Sequence, residues 1–534
     1  MKIAFATPEL KSLVRRTQLA EIAEVLPRTL QSLGAEVRVF LPFSKDIDTQ
    51  SLGPLEESAL LRIRDGSGRT PITIRTGYIN GLTIHLIDHE SLYRNRHPYG
   101  DEDGPYLDNW RRYSIFARAV LEGFGPLAFT PDVIHCLDWT SGLIPLVQKL
   151  EYSGREHPAA KPGTFFAIQN LAMQGSFERE ILPKVGIPHE YFRNVEGVAL
   201  GGRVNYLKAG AEFATLVGTT SNSKAKEFVS SDRGDGLEDT FRRREQDLVG
   251  VQSGIDYRTW NPATDPLLAQ NFSPDQKDVP GKRKCKARLQ EGLKLDVSPR
   301  TPVVAVIGRF DADSGFDILA ESLTPILERN VQLVLMGPGP PEIVERLHTI
   351  EQTFAGCCRV IEGYDVGTAH TLLAGADILL LPGHYHATNA LAAIALRYGV
   401  VPMAYAHSGL EDTLVDLTAS PKKGTSILFE RYESNALVEA VDQARSIYKK
   451  AADWKVILKR CMARRGERRD VRSSANRVRG DDFELSRWHP LGPGRGEAHG
   501  GEALESNARA AHGEVRVVGD AEPAGVGRAV GAER

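Results

Sequence analysis

The sequence has little of what marks a membrane, secreted or nucleic-acid-binding protein. No apolar run approaches the roughly 20 residues that a membrane span needs, and the N-terminus leads directly into a predicted strand, so we expect no signal peptide. The formal net charge of −3 gives no reason to expect a nucleic-acid or membrane partner. The cysteines show neither metal-ligand spacing nor a paired pattern, so we expect reduced thiols in a cytoplasmic protein. They are Cys136, Cys285, Cys357, Cys358 and Cys461.

The end of the chain lacks lysine. Residues 464–534 contain 13 arginines and 12 glycines, and no sustained apolar period. Such a segment cannot bury a hydrophobic core, so we expect a disordered tail. Two interpretations stay open: a genuine extension, or a reading frame that shifts after Ala463 into arginine-rich sequence. Resequencing the 3′ end of the gene distinguishes them, because an intact frame excludes the second.

The rest of the chain alternates between strand and helix patterns in two separate series. The first opens with a strand over residues 3–7 and an amphipathic helix over 18–33, and a later helix is expected over 141–150. The second series includes strands at 358–362, 378–381 and 401–405. This alternation predicts an α/β protein with two doubly wound halves, each a parallel sheet covered by helices on both faces.

A polar, lysine-rich segment separates the two series. We interpret residues 273–288 as a linker with an inserted turn. A crevice between two doubly wound halves is the expected ligand site.

Short motifs recur in an order that is typical of one enzyme family. Residues 134–139 are similar to a His-x-His-Asp-Trp strand end, and residues 168–175 to a His-Asn-Leu-Ala-Tyr-Gln-Gly loop. Residues 205–210 read Asn-Tyr-Leu-Lys-Ala-Gly, close to Asn-x-Leu-Lys-x-Gly. A loop at 383–391 precedes the sequence Leu-Arg-Tyr-Gly at 396–399. Through these motifs, residues 1–460 resemble the bacterial glycogen synthases and plant starch synthases.

The resemblance implies a fold and a reaction. The fold is GT-B, in which two Rossmann-like domains face each other across a cleft. The reaction transfers glucose from ADP-glucose to the non-reducing end of an α-1,4-glucan with retention, using no metal and no cofactor. The expected partners are therefore an α-glucan and a nucleotide sugar. The expected domains are an acceptor domain (1–270), a linker (271–300), a donor nucleotide-binding domain (301–460) and the disordered tail (464–534).

The resemblance also assigns roles to individual side chains. Arg15 and Arg309 would hold the donor diphosphate, with Gly409 and Leu410 as further donor contacts. Asp138 would bind a glucose hydroxyl, and Asp138 and Arg309 are the candidate catalytic residues. The remaining candidate substrate contacts are Gln169, Asn170, Asn205, Lys208 and His386. His384 and His386 alone make a weak metal motif, so no metal site is expected.

Several positions where the family binds phosphate or sugar are changed. They are Thr17, Gln18, Leu137, Ser314, His386 and Ser408. Thr17 and Gln18 replace two glycines, and each Cβ fills space near a phosphate. Ser314 replaces a lysine, and His386 cannot replace the family's carboxylate at neutral pH. Because removing one preorganised charge costs about 10²–10³ in rate, we expect weak or lost activity.

Two other functions fit the same pattern. One is a catalytically inactive glucan-binding or regulatory paralogue that keeps the cleft. The other is a GT-B transferase with a changed donor.

Several candidates also have a purely structural interpretation. Thr17 is suited to cap a helix, and Asp138 to cap one that starts near Ser141. Arg309 is suited to pair with a nearby aspartate, and His135 to be a hydrogen-bonded strand-end residue. Asp412 and Thr413 are interpreted as helix-start residues.

Overall fold

The computed structural model describes residues 1–17, 19–230, 233–251, 255–312, 314–384, 390–406 and 409–464. Several positions singled out above lie outside these ranges, namely Gln18, His386 and Ser408, together with everything beyond Arg464. Predictions about those residues, including the disordered tail and the shifted reading frame, remain predictions.

The first half is built on a nine-stranded sheet in the order β14-β13-β9-β8-β1-β2-β5-β4-β3. A two-stranded sheet (β6-β7) and a three-stranded sheet (β10-β12-β11) lie beside it. The strands of this half are β1 (Lys2–Ala6), β2 (Glu36–Pro42), β3 (Glu56–Asp65), β4 (Gly68–Ile79), β5 (Leu82–Asp88), β6 (Gly100–Asp101), β7 (Gly104–Pro105), β8 (Val133–Leu137), β9 (Gly163–Ile168), β10 (Ser176–Phe177), β11 (Ala199–Leu200), β12 (Arg203–Asn205), β13 (Leu216–Thr219) and β14 (Leu248–Gly250). β1 pairs in parallel with both β2 and β8, whereas β4 runs antiparallel to its neighbours. Buried side chains on both faces explain the near-continuous apolar runs of the central strands.

The second half is a six-stranded parallel sheet in the order β17-β16-β15-β18-β19-β20. Its strands are β15 (Val303–Ile307), β16 (Gln332–Gly337), β17 (Cys358–Glu362), β18 (Ile378–Leu381), β19 (Val401–Tyr405) and β20 (Ile427–Phe429). Numbered along the chain, this is the 3-2-1-4-5-6 strand order of a doubly wound sheet. The direction in which successive strands are added to the sheet reverses between β15 and β18. Ligands bind in such sheets outside the carboxyl ends of the strands at that reversal.

Helices cover both sheets. Within the described residues the α-helices are α1 (Leu19–Ser32), α2 (Asn109–Gly123), α3 (Ile144–Val147), α4 (Tyr206–Phe213), α5 (Asn222–Phe228), α6 (Glu238–Arg243), α7 (Pro280–Gly292), α8 (Phe316–Leu327), α9 (Pro341–Thr353), α10 (Val366–Gly375), α11 (Ala390–Arg397), α12 (Ser434–Tyr448) and α13 (Ala451–Ala463). In the described part of the chain, no helix is long and apolar enough to cross a membrane. The two predicted doubly wound halves are confirmed.

The prediction of one continuous helix over 141–150 is wrong. The structure has a 3₁₀ turn (Trp139–Ser141), the single turn α3 and a π turn (Gln148–Tyr152). A Cβ on Gly142 would lie 2.1 Å from the carbonyl oxygen of Tyr206, so this stretch is shaped by its contact with α4. The sequence analysis also missed β3, although its alternating exposed and buried residues are typical of an edge strand.

The interpretation of residues 273–288 as a linker with a turn is wrong. Most of the segment lies in α7, whose Cys285 and Leu289 are buried in the hydrophobic core of the second sheet. The Lys286 ammonium pairs with Asp377 at 2.7 Å. Two of the lysines that suggested a solvated linker, Lys282 and Lys286, therefore face inwards. Ile255 and Phe272 belong to the same core, while the domain limits at 270 and 300 remain a prediction.

Lys282 makes the stability of this core dependent on pH. Its buried Nζ donates to the carbonyl oxygens of Leu373 (3.0 Å) and Tyr398 (2.9 Å). Burial lowers the pKa of Lys282 to about 7. Between about pH 7 and 10 the unfolded chain therefore holds a proton at this position that the folded chain has released, so folding becomes more favourable as pH rises.

We predict that Lys282→Met removes this pH dependence. Between pH 6 and pH 9 the wild-type free energy of unfolding should rise by about 1–3 kcal/mol relative to the variant, measured by urea denaturation. Lys284→Met, an exposed change on the same helix, serves as the control and should follow the wild type. Parallel pH profiles for the wild type and Lys282→Met would contradict this prediction.

Candidate active site

The reversal point of the second sheet brings two predicted segments together. Arg309 follows β15, and Gly383 follows β18. Between them, Gly315 has a φ of +80°, and a Cβ there would lie 2.4–2.6 Å from backbone atoms of Pro382 and Gly383. The loop that carries Arg309 therefore packs directly on the start of the 383–391 loop. His386 itself lies outside the described residues.

Arg309 is engaged by its own loop. Its side chain is 70% exposed and forms an ion pair with Asp311. The backbone N–H of Ser314 donates to the other oxygen of Asp311 at 3.0 Å. Partial burial raises the pKa of Asp311, but the hydrogen bonds from Ser314 and Arg309 outweigh it and leave the pKa below its usual value. The structural interpretation of Arg309, pairing with a nearby aspartate, is confirmed.

In the first half, Glu9 holds the loop that leads into α1. Its buried carboxylate accepts the backbone N–H groups of Arg16 (2.6 Å) and Thr17 (2.8 Å), the Thr17 hydroxyl (2.8 Å) and the Tyr99 hydroxyl (2.6 Å). Thr17 Oγ1 also accepts the N–H of Leu19 at 3.1 Å. The predicted helix cap by Thr17 is confirmed. The backbone N–H groups of Arg16 and Thr17 are hydrogen-bonded to the Glu9 carboxylate.

Arg15 reaches the boundary between the two halves. Its guanidinium forms an ion pair with Glu21 at 3.2 Å. The same guanidinium carbon lies 5.6 Å from the ring centroid of Tyr364, which follows β17 in the second half. Arg15 and Arg309 are thus both at strand or helix ends that border the cleft, and each has an acidic partner within the chain.

Asp138 lies directly after β8 with a φ of 53°, which is unusual for a residue other than glycine. Its Oδ1 accepts the backbone N–H groups of Gln169 (2.7 Å) and Asn170 (3.3 Å). Burial raises the pKa of Asp138 to about 7, and the nearby charge of Glu9 acts in the same direction. The predicted side-chain cap near Ser141 is wrong, because only the backbone carbonyl of Asp138 accepts from that turn.

Gln169 and His135 carry polar atoms that the surrounding protein does not satisfy. Both Gln169 Oε1 and His135 Nε2 are buried, and neither has a hydrogen-bond partner among the described residues. The His135 ring stacks on Phe5 with centroids 4.5 Å apart, and burial lowers its pKa to about 3. His135 is therefore a neutral packing residue, and the prediction that it is hydrogen-bonded fails at Nε2.

Asn205 and Lys208 have structural partners. Asn205 caps α4 by accepting the N–H of Lys208 at 2.8 Å. The buried Lys208 ammonium donates to the carbonyl oxygens of Asn194 (2.7 Å) and Gly197 (2.8 Å) and to the Glu212 carboxylate (3.3 Å). Since an ammonium has three N–H groups, Lys208 has none left for a ligand in this arrangement.

The remaining donor candidates lie after β19. Gly409 has a φ of +81°, and Leu410 is buried in the second core. The interpretation of Asp412 and Thr413 as the start of a helix is wrong, because they lie in a turn. Asp412 instead accepts a hydrogen bond from Ser223 in the first half.

Sequence reasoning missed aromatic residues at the cleft. Tyr364 is 46% exposed despite its size. The Tyr432 hydroxyl donates to Asp317 at 2.7 Å, and its ring meets His384 edge-on at 5.1 Å. The available signal was position alone: Tyr364 follows a strand at the sheet edge where ligands bind.

A groove of about 600 Å³ opens beside the loop that Glu9 holds. It is lined by Arg16, Lys45, His97 and the hairpin residues 100–103. His97 Nδ1 lies 2.8 Å from the Asp46 carboxylate, which also pairs with Arg16. The groove is therefore polar and carries charges of both signs.

Known proteins match the chain along both halves. A family model described as the starch synthase catalytic domain matches residues 2–243, and one described as glycosyl transferases group 1 matches residues 301–446. The catalytic domain of starch synthase IV from Arabidopsis thaliana, solved with ADP and acarbose, superposes with a TM-score of 0.80 at 26% identity, covering 91% of this chain and 99% of that chain. The sucrose-phosphate synthase from Thermosynechococcus elongatus shares the fold alone, with a TM-score of 0.56 at 14% identity over 90% of this chain and 99% of that chain. Two doubly wound halves of this kind define a glycosyltransferase of the GT-B class.

Related proteins identify the family within the GT-B class. The glycogen synthase of Geotalea daltonii is 33% identical over 463 residues, covering 87% of this chain and 95% of that protein. The glycogen synthase of Geotalea uraniireducens is 34% identical over 464 residues with the same coverage. The chain belongs to the glycogen/starch synthase family.

The raised pKa of Asp138 yields a prediction about stability. The folded chain holds a proton on Asp138 up to about pH 7, whereas the unfolded carboxyl releases it near pH 4. The free energy of unfolding should therefore fall as pH rises from about 4 to 7. Asp138→Asn keeps the acceptor oxygen and cannot ionise, so at pH 8 it should be about 1–3 kcal/mol more stable than the wild type.

Urea denaturation at pH 5 and pH 8 checks this prediction. The exposed change Asp101→Asn is the control and should follow the wild-type pH trend. A destabilised Asp138→Asn at pH 8 would show that the carboxylate is favoured in the folded chain.

Proposed function

We propose that this protein transfers glucose from ADP-glucose to the non-reducing end of an α-1,4-glucan, with retention, and that its activity is weak or lost. The observation that carries the second part is the Arg309 loop. Arg309 is the cation that the family resemblance assigns to the leaving diphosphate, yet it pairs with Asp311. Ser314, where the family has lysine, donates its N–H to the same carboxylate.

The reaction needs positive charge close to the diphosphate, where negative charge develops. The bond between the anomeric carbon and the diphosphate oxygen breaks, and the glucan hydroxyl oxygen bonds to that carbon and gives up its proton. The diphosphate leaves with a growing negative charge that cations must stabilise. In this chain the two candidate cations, Arg15 and Arg309, each face an intrachain carboxylate.

Two polar groups remain on the sugar side of the cleft. Asp138 stands at the carboxyl end of β8, and its pKa near 7 allows it to donate or accept a hydrogen bond at neutral pH. The unpartnered Gln169 Oε1 lies on the neighbouring strand end. These groups support glucose or glucan binding even where donor binding is poor. They favour, as the second candidate, an inactive glucan-binding or regulatory paralogue.

An incorporation assay tests the proposal. With radiolabelled ADP-glucose and glycogen, we expect incorporation at least about 10²-fold slower than by the glycogen synthase of Geotalea daltonii, because a preorganised charge is missing. Comparable rates would refute the weakened reaction. Co-sedimentation with glycogen but no incorporation would support the inactive paralogue. A thermal shift with a different nucleotide sugar would instead indicate a changed donor.

Freeing Arg309 should strengthen nucleotide binding. In Asp311→Asn/Ser314→Lys the guanidinium loses its competing carboxylate and a second cation is added. We expect the Kd for ADP, measured by calorimetry, to fall by about tenfold, the value of one charge-assisted hydrogen bond. Glu328→Lys, an exposed change at the end of α8, changes the net charge by the same two units and should leave the Kd unchanged.

An unchanged Kd in Asp311→Asn/Ser314→Lys would contradict the placement of Arg309 in the donor site. An equal fall in Kd for Glu328→Lys would show that overall charge, and not this loop, controls ADP binding.

A further inference from the structure

The loop after β19 contacts both halves of the protein. It is anchored in the second half by Leu410, which is buried in that core. Asp412 then crosses to the first half. Its Oδ2 accepts the backbone N–H of Ser223 at 2.7 Å and the Ser223 hydroxyl at 3.1 Å.

These bonds supply a cap for a helix of the opposite half. The first N–H groups of a helix have no partner inside it and need an external acceptor. In α5, Ser221 Oγ accepts the N–H of Lys224 at 3.1 Å, and Asp412 accepts that of Ser223. A carboxylate is also favoured at a helix N-terminus by the helix dipole. One cap is therefore local and the other comes from 189 residues away in sequence.

Side-chain packing also connects this loop with α5. A Cβ on Gly409 would lie 3.4 Å from Cδ of Lys224, whose Nζ pairs with Glu227 at 2.8 Å. Gly409 also has a φ of +81°, which other residues adopt at a cost. The start of the loop thus lies directly against the side chain of α5.

We propose that Asp412 is a positioning residue that docks the donor-side loop onto the first half. Its two hydrogen bonds to Ser223 join the halves at one side of the cleft, so opening the cleft there breaks them. Closing it restores the bonds and fixes the loop that carries Gly409 and Leu410. The consequence for donor turnover rests on the proposed function, whereas the docking itself does not.

Amide hydrogen exchange of the segment around α5 tests the docking directly. In Asp412→Ala the N–H of Ser223 loses its acceptor, so exchange in a peptide spanning residues 221–226 should be about tenfold faster or more. Asp412→Asn keeps an acceptor oxygen and should show a smaller increase. Ser223→Ala removes the hydroxyl contacts to Asp412 and to the Ser221 hydroxyl but keeps the backbone bond, so it should change exchange little.

Asp416→Ala is the matched control. Asp416 accepts the N–H groups of Thr418 and Leu428, at 2.9 and 3.0 Å, within its own half. The Asp416→Ala variant therefore removes an aspartate that accepts backbone N–H groups in the same half, and it does not alter α5. Exchange around α5 should stay at the wild-type rate in this variant, which separates docking from local unfolding of the second half.

Wild-type exchange around α5 in Asp412→Ala would overturn the proposal, and so would an equal increase in Asp416→Ala. If the protein turns over ADP-glucose, Asp412→Ala should raise the KM for the donor more than it lowers kcat. If no turnover is detected, the loss of activity in the proposed function stands, and the exchange result alone decides the docking.

Discussion

In a parallel sheet every strand ends at the same edge, and this constraint decides where the chain places its polar chemistry. The reversal between β15 and β18 puts Arg309 and the 383–391 loop side by side. In the first half, β1 and β8 are neighbours, which sets Glu9 near Asp138. The position of the candidate site therefore follows from strand order.

The groups at this edge are largely satisfied by partners within the chain. Glu9 accepts the loop amides before α1, Arg15 pairs with Glu21, and Arg309 pairs with Asp311. Charges and amides that bind an anionic ligand in an open site here bind each other. The family scaffold and the proposed altered donor site are therefore compatible, because the scaffold depends on buried apolar strands and the proposed donor site on a few exposed charges.

Most of the scaffold was predictable from the sequence, and the errors in the prediction have physical causes. Strands such as β17, β18 and β19 were predicted at their observed bounds because apolar runs between helices have few other interpretations. α7 was missed because Lys282 and Lys286 point inwards to carbonyl and carboxylate oxygens, which reverses the usual meaning of lysine. At the site, motif comparison named Asp138 and Arg309. It had no means to find the partners of Arg309 or the link from Asp412 to Ser223, which depend on tertiary contact.

The most direct test of the account is the affinity for ADP-glucose, measured by calorimetry beside the glycogen synthase of Geotalea daltonii. The account predicts binding at least about tenfold weaker in this chain, since one cation is paired and another is absent, together with retained binding of glycogen. Equal donor affinity in the two proteins would contradict it, and would mean that the loops rearrange around the donor to release Arg309 from Asp311.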